Sequence, residues 1–127
     1  MIEFILYVKN QQMSAEFYSK LLMMEPILDE PGMTEFQLAE SVKLGIMPED
    51  GIYKILQDKT SHPKSANGAP RCEIYLNVKN PDEYLERAVL HGAILIDDCK
   101  ERGWGATVGY CADLDGHILA FAKRVSE

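Results

Sequence analysis

The residues able to do chemistry in this 127-residue chain fall into three sets. Glu3 and Glu73 are carboxylates set in short runs of alternating apolar and polar residues, where each could accept hydrogen bonds or hold a cationic group. Trp104, between Gly103 and Gly105, heads an aromatic set with Tyr7, Phe36, Tyr75 and Tyr110, to which Met47 adds an adaptable thioether. Glycines on both sides let backbone approach closely and leave the indole room. Aromatic walls with a few convergent polar groups are the usual make-up of a small-molecule site. The third set is His62, His91 and His117 with Cys72, Cys99 and Cys111. Its spacings define no nucleophile–base pair or triad, so no residue is assigned a catalytic role.

These side chains need strands and helices to position them. Ile2, Phe4, Leu6 and Val8 point one way and Glu3, Ile5 and Tyr7 the other, the alternation of a strand. Lys9-Asn10-Gln11-Gln12 breaks it. Met13, Phe17 and Leu21, with Tyr18 and Leu22, then make a helical stripe. Residues 33–39 and 42–47 read as two further strands after a short apolar segment at Ile27-Leu28, giving a β-α-β-β-β module over about residues 1–47. Pro48 to Pro70 is a connector, with one or two helical turns in its first half and an exposed Ser/Pro/Asn/Gly-rich loop in its second.

The first pattern then returns. Cys72, Ile74, Leu76 and Val78 repeat the apolar face, and Glu73, Val78, Lys79 and Asn80 stand 70 residues after Glu3, Val8, Lys9 and Asn10. An internal repeat of this kind fixes architecture. Asn80 is a good N-cap, Pro81 suits the first helical position, and Asp82 and Glu83 complement the positive helix terminus. Tyr84, Leu85, Ala88 and Val89 form the stripe expected to be buried, and Gly92 ends the helix. A strand over 93–96, a turn over 97–103 and a hairpin complete a second β-α-β-β-β module over about residues 71–127. The hairpin is explicit: an aromatic and β-branched run from Trp104 enters Asp113-Leu114-Asp115-Gly116, and an apolar run leaves it. Gly116 supplies the positive φ of the turn, and Asp113 or Asp115 can bond the turn backbone.

Trp104-Gly105, nine residues from Trp104 to Asp113, and then Asp113-Leu114-Asp115-Gly116-His117 resemble the closing hairpin of the vicinal-oxygen-chelate superfamily. That superfamily includes glyoxalase I, bleomycin-resistance proteins and extradiol dioxygenases. Tyr7, Val8, Asn10, Ser14, Phe17, Tyr18 and Leu22 resemble its first strand and helix. The resemblance covers the whole chain as one domain. It implies an α+β fold in which two βαβββ modules pair their sheets into a curved mixed sheet with helices outside.

In catalytic members, the resemblance implies a divalent metal held by His, Gln or Glu from the first and last strands of each module, polarising vicinal substrate oxygens. Matching strands puts the first-strand positions at Glu3 and Glu73. The last-strand position of module two falls on Ala120, where the superfamily often has Glu, and that of module one near Leu44 or Gly45. Two carboxylates remain of a four-ligand set. Glu3 and Glu73 then either contact a ligand on the concave face or stay solvated near their strand starts. The expected function is therefore a metal-independent small-molecule-binding protein of the bleomycin-resistance or glyoxalase-like type, with no cofactor. Its ligand, cationic or aromatic, would lie against Trp104, Tyr110 and Tyr75, with Tyr7, Phe36 and Met47 also on the site. The alternative is a glyoxalase-like lyase or isomerase, or a dioxygenase, using a divalent metal on Glu3 and Glu73.

Composition narrows the partners. A net charge of −7 argues against nucleic acid, whose phosphates need basic patches. The longest apolar run is too short to span a bilayer. The N-terminus lacks the basic region of a signal peptide, and three widely spaced cysteines suit neither a disulfide framework nor a zinc site. The expectation is a cytoplasmic protein without a membrane partner. Exposed sheet edges and the habit of the superfamily point to a homodimer.

Overall fold

A computed structural model describes residues 1–125 of the chain. The chain divides into two compact units, Met1–Asn67 and Gly68–Glu127. Unit one runs β1 (Ile2–Val8), α1 (Gln11–Leu22), β2 (Leu28–Glu30), β3 (Met33–Ala39), β4 (Val42–Pro48) and α2 (Glu49–Leu56), followed by short 3-10 turns at Gln57–Lys59 and Pro63–Ala66. Unit two runs β5 (Glu73–Asn77), α3 (Pro81–Leu90), β6 (Ile94–Glu101), β7 (Ala106–Ala112) and β8 (Ile118–Arg124). The sheets have matching orders, β1-β4-β3-β2 and β5-β8-β7-β6. In each, the first strand pairs parallel to the last and the others are antiparallel. These are the two βαβββ modules of an α+β fold.

The repeated Val-Lys-Asn explains why both helices start where they do. Asn10 accepts from Met13 N at 2.9 Å, and Asn80 accepts from Glu83 N at 3.3 Å. Each asparagine side chain satisfies one of the amide groups that a helix start leaves without a partner. Met23 closes α1 in the left-handed conformation, and Gly92 follows α3 with φ +117.

In unit one, Leu6, Val8, Phe36, Leu44 and Ile46 of the sheet are buried, as are Phe17, Tyr18 and Leu21 of α1. The Gln11 amide donates to Thr34 Oγ1 at 3.0 Å and so ties the start of α1 to this sheet face. In unit two, Leu85 of α3 lies against Gly109, and Tyr84 packs 5.6 Å from the Phe121 ring. Burying one such large apolar side chain contributes about 1.5–3 kcal/mol.

Four expectations change in detail. Val89, expected in the buried stripe of α3, is exposed. Met13 is exposed, and Ser14 takes the buried place in α1. Ile2 and Phe4 are exposed while Leu6 and Val8 are buried, so β1 is covered only toward its C-terminal end. Residues 97–101, expected in a turn, belong to β6. Register shifts between Leu95 and Asp97 and between Asp97 and Lys100 break the two-residue alternation, so a bulged, charged strand reads like a turn.

Candidate functional site

The site is built on the face of the second sheet that turns away from α3. Leu85 of α3 lies on the Gly109 side, and Tyr110, its chain neighbour, projects from the opposite side. Across four strands the register aligns Tyr75, Ala120, Tyr110 and Asp97 in one row, with the two tyrosines flanking Ala120. Ala106, Val108, Ala120 and Ala122 form a buried floor of small side chains, and Tyr110 packs against it. Glu73 lies two residues before Tyr75, on the same face.

Trp104 completes the face from the β6–β7 turn. Its indole Nε1–H donates to the Tyr75 hydroxyl at 2.9 Å, while the ring stays 57 % exposed. The turn is tight: Gly105 N donates to Arg102 O at 3.1 Å and Arg102 N to Ala106 O at 2.8 Å. Gly105 holds φ +84, which a residue with a Cβ adopts at a cost.

Arg102 is the contributor that sequence reasoning missed. Its guanidinium donates to Asp97 Oδ2 at 2.9 Å, to Asp98 O at 3.1 Å and to Val108 O at 2.8 Å, and it lies 5.2 Å from the centre of the Tyr110 ring. One side chain thus fastens the turn carrying Trp104 to the strand carrying Tyr110. Only the bulged register of β6 brings these groups together, and the sequence alone carries no signal for it.

The electrostatics follow from these contacts. Burial, then the Glu73 charge, pushes the Tyr110 hydroxyl above its usual range, with the Arg102 cation opposing. Tyr110 therefore keeps its proton at neutral pH and can donate a hydrogen bond. Hydrogen bonds from Lys100 and Arg102 hold the Asp97 carboxyl below its usual range. Because the Tyr75 oxygen accepts from the indole, its own O–H is left to donate. The face therefore offers two phenol donors, an exposed indole and the Glu73 carboxylate.

Glu3, Tyr7 and Met47 share the corresponding face of unit one, away from α1. Glu3 pairs in register with Lys43, and Tyr7 with Met47. Burial, then the neighbouring Glu35, raises the Glu3 carboxyl above the usual range, with Lys43 pulling the other way. The Lys43 ammonium lies 3.7 Å from Glu35. Glu3 Oε2 is shielded from solvent without a hydrogen-bond partner. Phe36, expected with this set, lies instead on the α1 side, fully buried in register with Leu44. Its even position in the alternation of β3 turns it inward, and it is a core residue.

The donor set does not fit a resident metal. Among the described residues no three His, Cys, Asp or Glu side chains converge as metal ligands would. The repeat sharpens this, because Ile5 pairs with Gly45 as Tyr75 pairs with Ala120. The last-strand position therefore carries no donor in either module. At Gly45 a Cβ would lie 2.5 Å from Glu3 Oε2 and would also collide with Ile5, so the missing side chain is what admits the Glu3 carboxylate.

The histidines serve local structure. His62 caps the turn at Pro63–Ala66 by accepting from Lys64 N at 3.1 Å, and its other nitrogen lies 3.0 Å from Asp50. His91 is the C-cap of α3. His117 is buried beside Asp113. Cys111 is buried and its thiol is pushed up to about 12, and that of Cys99 to about 11, chiefly by burial, which makes both poor nucleophiles.

Two mixed βαβββ sheets, with a helix on one face and chemistry on the other, define a vicinal-oxygen-chelate class of protein. The chain belongs to the glyoxalase/bleomycin resistance protein/dioxygenase superfamily, whose sequence model matches residues 2–121. Among solved structures it resembles a glyoxalase-related enzyme from Fulvimarina pelagi, with TM-score 0.82 and 21% identity, covering 98% of this chain and 87% of that one. It also resembles a superfamily enzyme from Burkholderia phytofirmans, with TM-score 0.79 and 14% identity, covering 96% of each chain. At these identities the likeness is one of fold. An uncharacterised protein of Mycobacterium bovis is 29% identical over 82 residues, 65% of this chain and 53% of its own length. A Mycobacterium tuberculosis counterpart is equally identical, with 48% of its length covered. The chain spans about half the length of these curated relatives.

Proposed function

We propose that this chain binds a small molecule on the Trp104 face of its second sheet, without a metal. The observation that carries the reading is the row Tyr75–Ala120–Tyr110 beneath Trp104. Where a metalloenzyme of this superfamily places a ligating carboxylate, this chain has a methyl group between two phenols. The exposed indole offers a flat surface for an aromatic ring, and the phenol O–H groups and Glu73 are free to orient its polar groups. A cationic group is favoured beside Glu73, because Asp97 already neutralises Arg102. The superfamily's bleomycin-resistance branch is the functional type this most resembles.

Trp104 is the only tryptophan of the chain, so its emission reports the site directly. Titration with a panel of cationic, neutral and anionic aromatic compounds should give saturable changes in Trp104 fluorescence, strongest for the cationic members, that vanish in Y110A. Protein purified without chelator should carry no stoichiometric metal and show no thermal shift with Mg²⁺, Mn²⁺, Fe²⁺ or Zn²⁺. A tightly bound stoichiometric metal would overturn the reading in favour of a lyase, isomerase or dioxygenase.

A further inference from the structure

The hairpin turn of unit two holds a buried cluster that the binding face does not use. Asp113 Oδ1 accepts from the backbone N–H of Asp115 and of His117, both at 2.9 Å, and the two carboxylate oxygens lie 3.2 and 3.0 Å from His117 Nδ1. The side chains of His117 and Asp113 are only 3% and 2% exposed. On the far side of the ring, His117 Nε2 meets Arg71 Nη2 at 3.1 Å. Arg71 also donates to the carbonyls of Ala69 and Asp115.

These contacts fix the tautomer. A carboxylate only accepts, so Nδ1 carries the proton toward Asp113. A guanidinium only donates, so Nε2 must present its lone pair to Arg71. The bond to Arg71 therefore exists only while the imidazole is neutral. It matters because Arg71 ends the segment that enters unit two at Gly68, where the chain leaves unit one. That segment is pressed onto the turn: a Cβ at Gly116, which holds φ +90, would collide with the Gly68 carbonyl. Beyond Arg71 the next tie is Ile118 N to Cys72 O at 3.1 Å.

We propose that Asp113, His117 and Arg71 form a proton-gated latch that fastens the junction segment 68–71 to the closing hairpin. Adding a proton at Nε2 replaces an acceptor by a donor and sets two cations in contact. The imidazolium stays, because Asp113 is its counter-ion and is itself held by two backbone amides. Arg71, an exposed residue, is the group that leaves His117. The other charged or titratable groups at this turn are Asp115 in the turn itself and Cys72, which feels the charges of Asp113 and Arg71; Glu73, the next acidic residue along the chain, lies in register with Ile118. The carboxylates among them favour the imidazolium and do not restore the lost acceptor. The device is independent of whether the Trp104 face binds a ligand.

The test is NMR on the full chain between about pH 7.5 and pH 5, the range in which histidine ordinarily titrates. The His117 ring, the Arg71 Nε–H and the heteronuclear NOE of the Gly68, Ala69 and Arg71 amides are read in parallel. The order of these three amides should fall to that of a free loop as the His117 ring protonates. The Arg71 resonance should move with the same midpoint, while β7 and β8 keep their order. In H117N, which cannot protonate, the step should be absent. In R71Q, the order of the segment should be low at both ends of the range and also without a step. The latch is overturned if the segment keeps its order while His117 protonates, if the ring does not titrate in this range, or if the step survives in either variant. R71Q, altered at an exposed position, decides the matter should H117N fail to fold.

Discussion

The Trp104 indole donates its N–H to the Tyr75 hydroxyl at 2.9 Å, joining residues 29 apart in sequence across the face that carries Ala120. The bond holds an exposed tryptophan in one orientation, and it leaves the Tyr75 proton directed elsewhere. Removing the acceptor should separate these two effects. In Y75F the fold should lose less than about 1.5 kcal/mol, the net worth of one hydrogen bond. The Trp104 emission should nonetheless shift and its anisotropy fall, as a freed side chain requires. An unchanged emission spectrum and anisotropy would show that the bond does not hold the indole.

Phe36 distinguishes core from site. Because it is fully buried on the α1 side, F36A should cost about 3–5 kcal/mol in chemical denaturation, the usual effect of emptying an aromatic core position. Any aromatic probe that binds the Trp104 face should keep its affinity wherever the variant is folded.

Gly45 and Glu3 form a steric pair. A methyl group at Gly45 would meet the Glu3 carboxylate and Ile5. G45A should therefore destabilise by about 1–3 kcal/mol, as overpacking generally does. Combining it with E3A should recover part of the loss, and a double-mutant cycle measures the coupling. Strictly additive effects would mean that Glu3 does not fill the Gly45 space.

Glu3 also sets a pH dependence whose sign can be worked out. Its carboxyl is raised by burial and by Glu35, so near and above the usual carboxylate range the folded chain holds a proton that the unfolded chain has released. The contribution to stability is complete below the unfolded-state value and is lost as pH rises through the folded-state value. E3Q should remove that slope. Its stability relative to the parent chain should increase from about pH 4 to pH 8, read from denaturation midpoints across the range. A constant difference over that range would show that Glu3 titrates as it does in the unfolded chain.

Much of this was legible in the residues. The repeat from Glu3 to Asn10 and from Glu73 to Asn80, with its N-capping asparagines, predicts two modules, and both form as β-α-β-β-β. The Asp113–Gly116 turn sits where composition puts it, with Gly116 at φ +90 and Asp113 bonding the turn backbone. Strand alternation also places Tyr75 and Glu73 on one face. It fails at β6, where two register shifts hide a strand among charged residues. At Phe36, aromatic character alone suggested a ligand contact, although the same alternation turns the residue into the core.

What the sequence determined by itself is therefore local and periodic: which segments become strands and helices, where they are capped, and that one unit occurs twice. These follow from interactions within a few residues. What only the tertiary structure decided is which distant groups meet. Ala120 standing between Tyr75 and Tyr110, Arg102 fastening the Trp104 turn, Glu3 occupying the space of Gly45 and Arg71 closing on His117 all depend on strand register and side-chain reach. A shift of one residue in pairing would undo each of them, and no composition or spacing records it.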